Sequence, residues 1–115
     1  MRKFEDLRVW QDARVFVVEI YSLTRDLKDW EFKDQLQRAA VSIMNNIAEG
    51  SDAGGDGIFV RYLHISLGSC SEVKSMLYLC EDLHYCSPER ANELRIKLKQ
   101  ISSSVNKLIN YLKTE

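Results

Sequence analysis

The sequence predicts an all-α protein, an antiparallel up-down-up-down four-helix bundle. Apolar residues recur every three or four positions in four separate segments, which is the period of an amphipathic helix. Helix breakers are scarce, with five glycines and one proline in 115 residues, and the links between the segments are short. The length corresponds to a single domain that spans residues 1–115.

The first helix is predicted to begin at Leu7 and to run for about twenty residues. Its apolar row consists of Trp10, Ala13, Val17, Ile20 and Leu27, with Thr24 in the remaining place. The charged stretch RDLKDWEFKD separates this helix from the second, whose apolar row is Leu36, Ala40, Ile43 and Ile47. Gly50 is predicted to cap the second helix ahead of the loop SDAGGDG.

The third helix is predicted from about Ile58 to Tyr85. Ser87 is a natural N-cap for the fourth helix, and Pro88 suits its first position. The fourth helix carries an apolar row of Leu94, Leu98, Ile101, Val105, Leu108 and Leu112. Four similar helices with short links imply the up-down-up-down topology.

The net charge of −1 and the pI of about 6.1 give the chain no general attraction to nucleic acid or to membranes. The start of the chain, MRKFEDLRVW, lacks the apolar region of a signal peptide, and no uncharged apolar stretch is long enough to span a membrane. The cysteines Cys70, Cys80 and Cys86 are an odd number, which without a secretion signal indicates reduced thiols. We therefore expect a cytoplasmic protein with no membrane partner.

No metal, cofactor or catalytic set is predicted. The loop DAGGDG resembles the start of a calcium-binding loop, but Leu63 occupies the place of the bidentate glutamate. Glu81 and His84 form one E-x-x-H pair, whereas a di-iron bundle needs two. Cys80, His84 and Cys86 lack the spacing of a zinc site. Because no Ser, His and acid set stands out either, we expect a non-enzymatic protein without cofactors.

The fourth helix is unevenly basic. Between Arg90 and Lys113, six basic residues oppose a single acidic residue, Glu93. One interpretation is a face that binds the phosphates of RNA or DNA. Its candidate contacts are Arg90, Arg95, Lys97 and Lys99. The other interpretation is a solvated face whose last lysines complement the helix dipole, and the scarcity of interleaved aromatic residues favours it.

A polar stripe runs along the second helix, in which Arg38, Ser42, Asn45 and Glu49 have the spacing of one helix face. On the third helix, Arg61 and Glu72 have the same separation as Arg38 and Glu49. If the two helices fold back on each other about Gly55, Arg38 lies level with Glu72 and Glu49 lies level with Arg61. Ser42 then lies level with Gly68, and both are small enough for the backbones to approach.

This arithmetic predicts a polar seam between the second and third helices, made of Arg38, Glu49, Arg61 and Glu72. Its role would be to set the register of the two helices more than to add stability. The alternative is an ordinary solvated face, because the stripe lies opposite the apolar row of the second helix. The sequence leaves both alternatives open.

The apolar arcs of the first two helices are wider than one core row requires. Beside the core rows lie Val9, Phe16 and Leu23 on the first helix, and Val41 and Met44 on the second. These five residues either flank the core or form an interface between copies of the chain. We predict a homo-oligomer that buries Phe16 and its neighbours.

Three stretches carry a resemblance to a known family: FEDLRVWQDA, RAAVSIMNNIAEG and FVRYLHISLGSCSEV. Their order and spacing resemble the bacterial four-helix-bundle family that is encoded in intervening sequences of 23S ribosomal RNA genes, to which the accessory protein of diversity-generating retroelements is related. The motif positions are Arg38, Asn46, Glu49, Gly50, Arg61, Gly68, Ser69 and Glu72. Two departures are Met44, where the family usually has a proline, and the acidic loop SDAGGDG, where the family loop is usually basic.

The resemblance implies a four-helix bundle, a five-membered ring in several members, and binding of nucleic acid or a reverse transcriptase in some relatives. For most members no biochemical activity is known. We therefore predict a non-enzymatic assembly or adaptor protein of the bacterial cytoplasm that acts as a homo-oligomer. An RNA- or DNA-binding bundle that uses the basic fourth helix is the alternative, and the acidic loop weakens it.

Overall fold

Four long helices account for most of the chain. The computed structural model describes residues 3–114. A short 3-10 helix at Phe4–Asp6 precedes α1 (Arg8–Thr24), α2 (Trp30–Asp52), α3 (Asp56–Asp82) and α4 (Pro88–Lys113). No strand occurs in this part of the chain, and the bundle measures 45 × 21 × 20 Å along its principal axes.

Consecutive helices run antiparallel, because residues late in one helix contact residues early in the next. Gln37 of α2 donates a hydrogen bond to Thr24 at the end of α1, and Arg95 of α4 donates one to Glu81 near the end of α3. Since α1 also packs against α4, the four helices close into a bundle in which α1 and α3 lie diagonally opposite each other. The predicted fold class is confirmed.

The core takes apolar side chains from all four helices. Its largest enclosed members include Phe16, Phe59, Ile20, Leu36, Ile43, Ile47, Leu63, Leu77 and Leu94. Thr24 is fully buried at the end of the core row of α1, and its hydroxyl donates a hydrogen bond to the Ile20 carbonyl at 2.8 Å. On α4 the core row moves by one position near its end, because Ile109 is buried and Leu108 is half-buried.

Side-chain caps set the first residues of α2 and α4. The Ser87 hydroxyl accepts a hydrogen bond from the Arg90 amide at 3.0 Å, which confirms the predicted cap. Asp29 caps α2 by accepting from the Phe32 amide at 3.2 Å. The second half of RDLKDWEFKD is therefore helical, and its assignment to a link was wrong because the Asp29 cap lies inside the charged stretch.

Gly50 is not a cap, and that prediction was wrong. The helix α2 continues past Gly50 to Asp52, and Ala53 is its C-cap. Gly50 is buried against α3, where a Cβ built on it would lie 2.6 Å from the Cβ of Tyr62. The glycine is required for close packing of α2 and α3, and the positive φ of the connection falls on Gly54 instead, at 93°.

Candidate functional site

Small hydroxyl and amide groups join α2 to α3. The hydroxyls of Ser42 and Ser69 share a hydrogen bond of 2.8 Å. Asn46 donates to the Ser42 hydroxyl at 2.9 Å, and the buried Ser66 hydroxyl donates to the Ile43 carbonyl at 2.9 Å. The predicted register of α2 against α3 is within one residue of the observed register, because Ser42 contacts Ser69 and not Gly68. The groups that join the middle of α2 to α3 are therefore uncharged.

The predicted pair of Arg38 and Glu72 does not form. The Arg38 side chain is 79% exposed, and its guanidinium pairs with Asp34 of its own helix at 2.8 Å. The Glu72 carboxylate accepts instead from Gln35 at 3.5 Å. The register of the two helices was predicted well, but Arg38 lies on the side of α2 that faces solvent, so its side chain does not reach Glu72.

The second predicted pair, Glu49 with Arg61, is also absent. Both side chains are exposed, and neither makes an ion pair with another residue between positions 3 and 114. The buried seam was therefore wrong for all four charges, because on both α2 and α3 these side chains lie outside the core row and are exposed. The four residues instead belong to solvated helix faces, which was the alternative interpretation.

Carboxylates neutralise much of the basic face of α4. Glu19 of α1 lies between Lys97, at 2.6 Å, and Arg90, at 3.5 Å. Arg90 also pairs with Glu93 of its own helix. These contacts tie α4 to α1, so two of the candidate phosphate contacts already have anionic partners.

The other two candidates, Arg95 and Lys99, lie toward α3. Arg95 donates to the Glu81 carboxylate at 3.2 Å, and its guanidinium carbon lies 4.1 Å from the centre of the Tyr78 ring. Lys99 is exposed and lines a groove between α3 and α4. Binding of nucleic acid by α4 stays a prediction, and the four candidates do not form one continuous free cationic surface.

Two of the predicted interface residues belong to the core. Val9 and Phe16 are buried, so their assignment to a surface between copies was wrong. The reason is that α1 packs against both α2 and α4, which requires a wide apolar arc on α1. Leu23, Val41 and Met44 are half-buried and pack against the core.

Other apolar side chains are exposed on the outer faces of α1 and α3. On α1, Val15 and Val18 are 60% and 64% exposed, and Tyr21 lies beside them. On α3, Ile65 is 49% exposed and lies in the same heptad row as Ile58 and Leu79, with the exposed Glu72 between Ile65 and Leu79. Sequence reasoning missed both groups, although their apolar residues lie outside the core rows of their helices, which is the signal that could have identified them.

The cysteines are free, and two of them are enclosed. Burial raises the pKa of Cys70, and a hydrogen bond with Ser102 partly opposes this effect. Burial, together with a hydrogen bond to Cys86, raises the pKa of Cys80 to about 12. Both enclosed thiols therefore carry their protons at neutral pH.

Among residues 3–114, no three His, Cys, Asp or Glu side chains are grouped so that they could hold a metal ion. Within the same range, no helix is both long enough and apolar enough to cross a bilayer.

The fold is that of a small antiparallel four-helix-bundle protein. Its sequence matches the 23S rRNA-intervening sequence protein family over residues 5–107, and the chain belongs to this family. The predicted resemblance is thereby confirmed. No curated protein matches the sequence.

The same fold occurs in a crystal structure of a protein with unknown function from the S23 ribosomal protein family of Bacteroides thetaiotaomicron VPI-5482. The two chains are similar with a TM-score of 0.82 and 24% sequence identity, over 88% of this chain and 97% of the other. At this identity the likeness shows the fold alone.

Proposed function

We propose that this protein is a non-enzymatic assembly or adaptor protein of the cytoplasm that works as a homo-oligomer. The observation that carries the proposal is the pair of exposed apolar faces on α1 and α3. Single exposed apolar residues are common, but apolar residues that follow one helix face are typical of contact surfaces. We call the surface of Val15, Val18 and Tyr21 the α1 face, and the surface of Ile58, Ile65 and Leu79 the α3 face.

The position of the two faces favours head-to-tail assembly. Because α1 and α3 lie diagonally opposite in the bundle, the α1 face and the α3 face lie on different sides of it. Contact between the α1 face of one copy and the α3 face of the next leaves one free face at each end, so the contact repeats, and a ring forms if the rotation between copies closes. The family resemblance suggests five members for such a ring.

Gly68 supports the α3 face as a contact surface. It lies within α3, is exposed, and has no atom within 4 Å of a built Cβ. A glycine inside a helix costs about 0.5–1 kcal/mol relative to alanine, and the packing of the single chain does not require it. A second helix could approach the backbone closely at this point. Gly68→Ala is therefore expected to stabilise the single chain and to weaken the association.

Measurement of mass in solution tests the proposal. Light scattering at micromolar concentration is expected to give a multiple of the 13.4 kDa chain mass. Val18→Asp and Ile65→Asp each place a charge in one face, and each is expected to give a smaller particle. Tyr111→Asp, at an exposed aromatic residue of α4, is the matched control and should leave the assembly intact.

A mixing experiment tests the head-to-tail arrangement. The Val18→Asp chain retains an intact α3 face, and the Ile65→Asp chain retains an intact α1 face. Mixed together, the two variants should form a pair of about twice the 13.4 kDa chain mass, which neither forms alone. A mass of 13.4 kDa for the unmodified chain would contradict the proposal, and a mixture that stays monomeric would contradict the head-to-tail contact.

A further inference from the structure

A groove of about 360 Å³ lies between α3 and α4, away from the α1 face. Its volume is at the lower end of the range found for small-molecule sites. The groove is lined by Cys70, Ser71, Lys74, Tyr78, Asn92, Arg95, Ile96, Leu98, Lys99 and Ser102. The two helices thus bring together residues that lie far apart in the sequence.

The positive charge of this groove comes from two lysines that are unpaired in the described chain, because Glu81 balances the third cation, Arg95. Lys74 of α3 and Lys99 of α4 line it together with Arg95, and none of its lining residues in the described chain is acidic. Neither lysine makes an ion pair within residues 3–114. Lys97, on the other side of α4, is neutralised by Glu19. Lys99 has no such partner in the described chain and lines the groove.

Arg95 is held in place with unused hydrogen-bonding capacity. Its side chain is only 13% exposed, and its Nη2 donates to Glu81 at 3.2 Å. The Tyr78 ring fixes the guanidinium from another side, at 4.1 Å. Its Nη1 is buried and has no acceptor. A buried charged donor without an acceptor is unfavourable, and a rotation of the guanidinium toward the groove would let a bound anion supply the acceptor.

Neutral and apolar groups complete the groove. The side chains of Ser71 and Asn92 line it and make no hydrogen bond to another described residue, so both can donate to a ligand oxygen. Ile96 and Leu98 add apolar surface. Cys70 also lines the groove, and its thiol is protonated because burial raises its pKa. This combination suits a ligand that has one strongly anionic group and a less polar body.

We propose that this groove binds a small organic phosphate, with the phosphate among Lys74, Arg95 and Lys99 and the remainder of the ligand against Ile96 and Leu98. Arginine and lysine together are the residues that proteins use most for phosphate recognition. A phosphate dianion offers enough oxygen atoms to contact all three cations at once. The ligand site is separate from the faces proposed for assembly.

The test uses three probes: adenosine 5′-monophosphate as an organic phosphate, inorganic phosphate, and adenosine as the phosphate-free control. We expect the first two to raise the melting temperature and to shift the backbone amide signals of residues 70–78 and 92–102. Adenosine should do neither. Signals at the α1 face should not move with any probe.

Charge removal locates the site. Lys74→Gln and Lys99→Gln are each expected to weaken binding of adenosine 5′-monophosphate by about tenfold, because each removes a charge-assisted contact. Lys107→Gln is the matched control, since Lys107 is an exposed lysine of α4 outside the groove. All three substitutions lie at exposed positions, so folding and particle mass should not change.

Three results would overturn the proposal. The first is no amide shift with either phosphate probe at millimolar concentration. The second is an equal loss of binding for Lys107→Gln and Lys99→Gln, which would indicate diffuse charge attraction. The third is an oligonucleotide that binds far more tightly than the mononucleotide, which would assign the groove to a nucleic-acid backbone. None of these results bears on the assembly, which is measured separately by mass.

Discussion

Gly50 of α2 and Tyr62 of α3 lie so close that a Cβ on the glycine would be 2.6 Å from the Cβ of the tyrosine. Phe59 restricts the same space, at 2.9 Å. The Tyr62 Cβ is fixed to the backbone and cannot rotate away, so any side chain at position 50 must separate the two helices. This contact sets how closely α2 and α3 pack.

Gly50→Ala is therefore expected to lower the free energy of unfolding by about 1–2 kcal/mol, because overpacking outweighs the gain in helix propensity. Urea denaturation followed by circular dichroism measures the change. Gly57→Ala is the matched control: Gly57 lies in the first turn of α3, and nothing is within 4 Å of its built Cβ. That substitution should stabilise the chain by up to about 0.5–1 kcal/mol. Equal effects of the two substitutions would contradict the packing role of Gly50.

Arg38 should be coupled to Asp34 and not to Glu72. A double-mutant cycle of Arg38 with Asp34 is expected to give about 0.3–0.5 kcal/mol, the usual value for an exposed pair one turn apart. The cycle of Arg38 with Glu72 should give a value near zero, because the Glu72 carboxylate contacts Gln35. A coupling above about 1 kcal/mol between Arg38 and Glu72 would restore the seam hypothesis.

Thr24 joins α1 to α2 through one hydroxyl. It donates to the Ile20 carbonyl and accepts from the Gln37 amide at 2.9 Å. Thr24→Val keeps the shape but removes the acceptor, and we expect a loss of about 1–2 kcal/mol in the free energy of unfolding. Adding Gln37→Leu should recover part of that loss, since the unpaired donor is then removed as well. Additive losses in the double variant would rule out the proposed hydrogen bond.

Cys80 should make the protein less stable in alkali. Its pKa in the folded chain is about 12, above the ordinary value of 9.0, so the folded chain holds the proton more tightly than the unfolded chain does. Stability is then unaffected below about pH 9 and falls as the pH rises from 9 towards 12. Melting temperatures measured across this window should fall less steeply for Cys80→Ala. An identical pH profile for the two proteins would contradict the burial of this thiol.

The sequence predicted a feature reliably where that feature depends only on residues of the same helix. The cap at Ser87 and the core rows of the four helices could be predicted because capping and helical periodicity depend on neighbours in the chain. Gly50 was misassigned because a glycine close to a loop has the position of a cap. Only contact with Tyr62, which belongs to another helix, distinguishes the two roles.

The candidate surfaces were harder to predict for the same reason. The wide apolar arc of α1 could serve two packed neighbours or a second copy, and only the bundle shows that Phe16 is enclosed while Val18 is not. The groove between α3 and α4 depends on Lys74 and Lys99, which different helices bring together. No sequence motif joins these residues, so the sequence indicated only the α4 side of the groove.

The short connection at residues 53–55 has a kinetic consequence. Closing so small a loop costs little chain entropy, and contacts between α2 and α3 are local in the sequence. Their pairing is therefore expected early, in the transition state for folding, before α1 docks. On that order of events, a change at Gly50 would act mainly by slowing folding, whereas a change at Thr24 would act mainly by accelerating unfolding. The lifetime of the folded chain would then depend more on how α1 is held than on the close packing of α2 and α3.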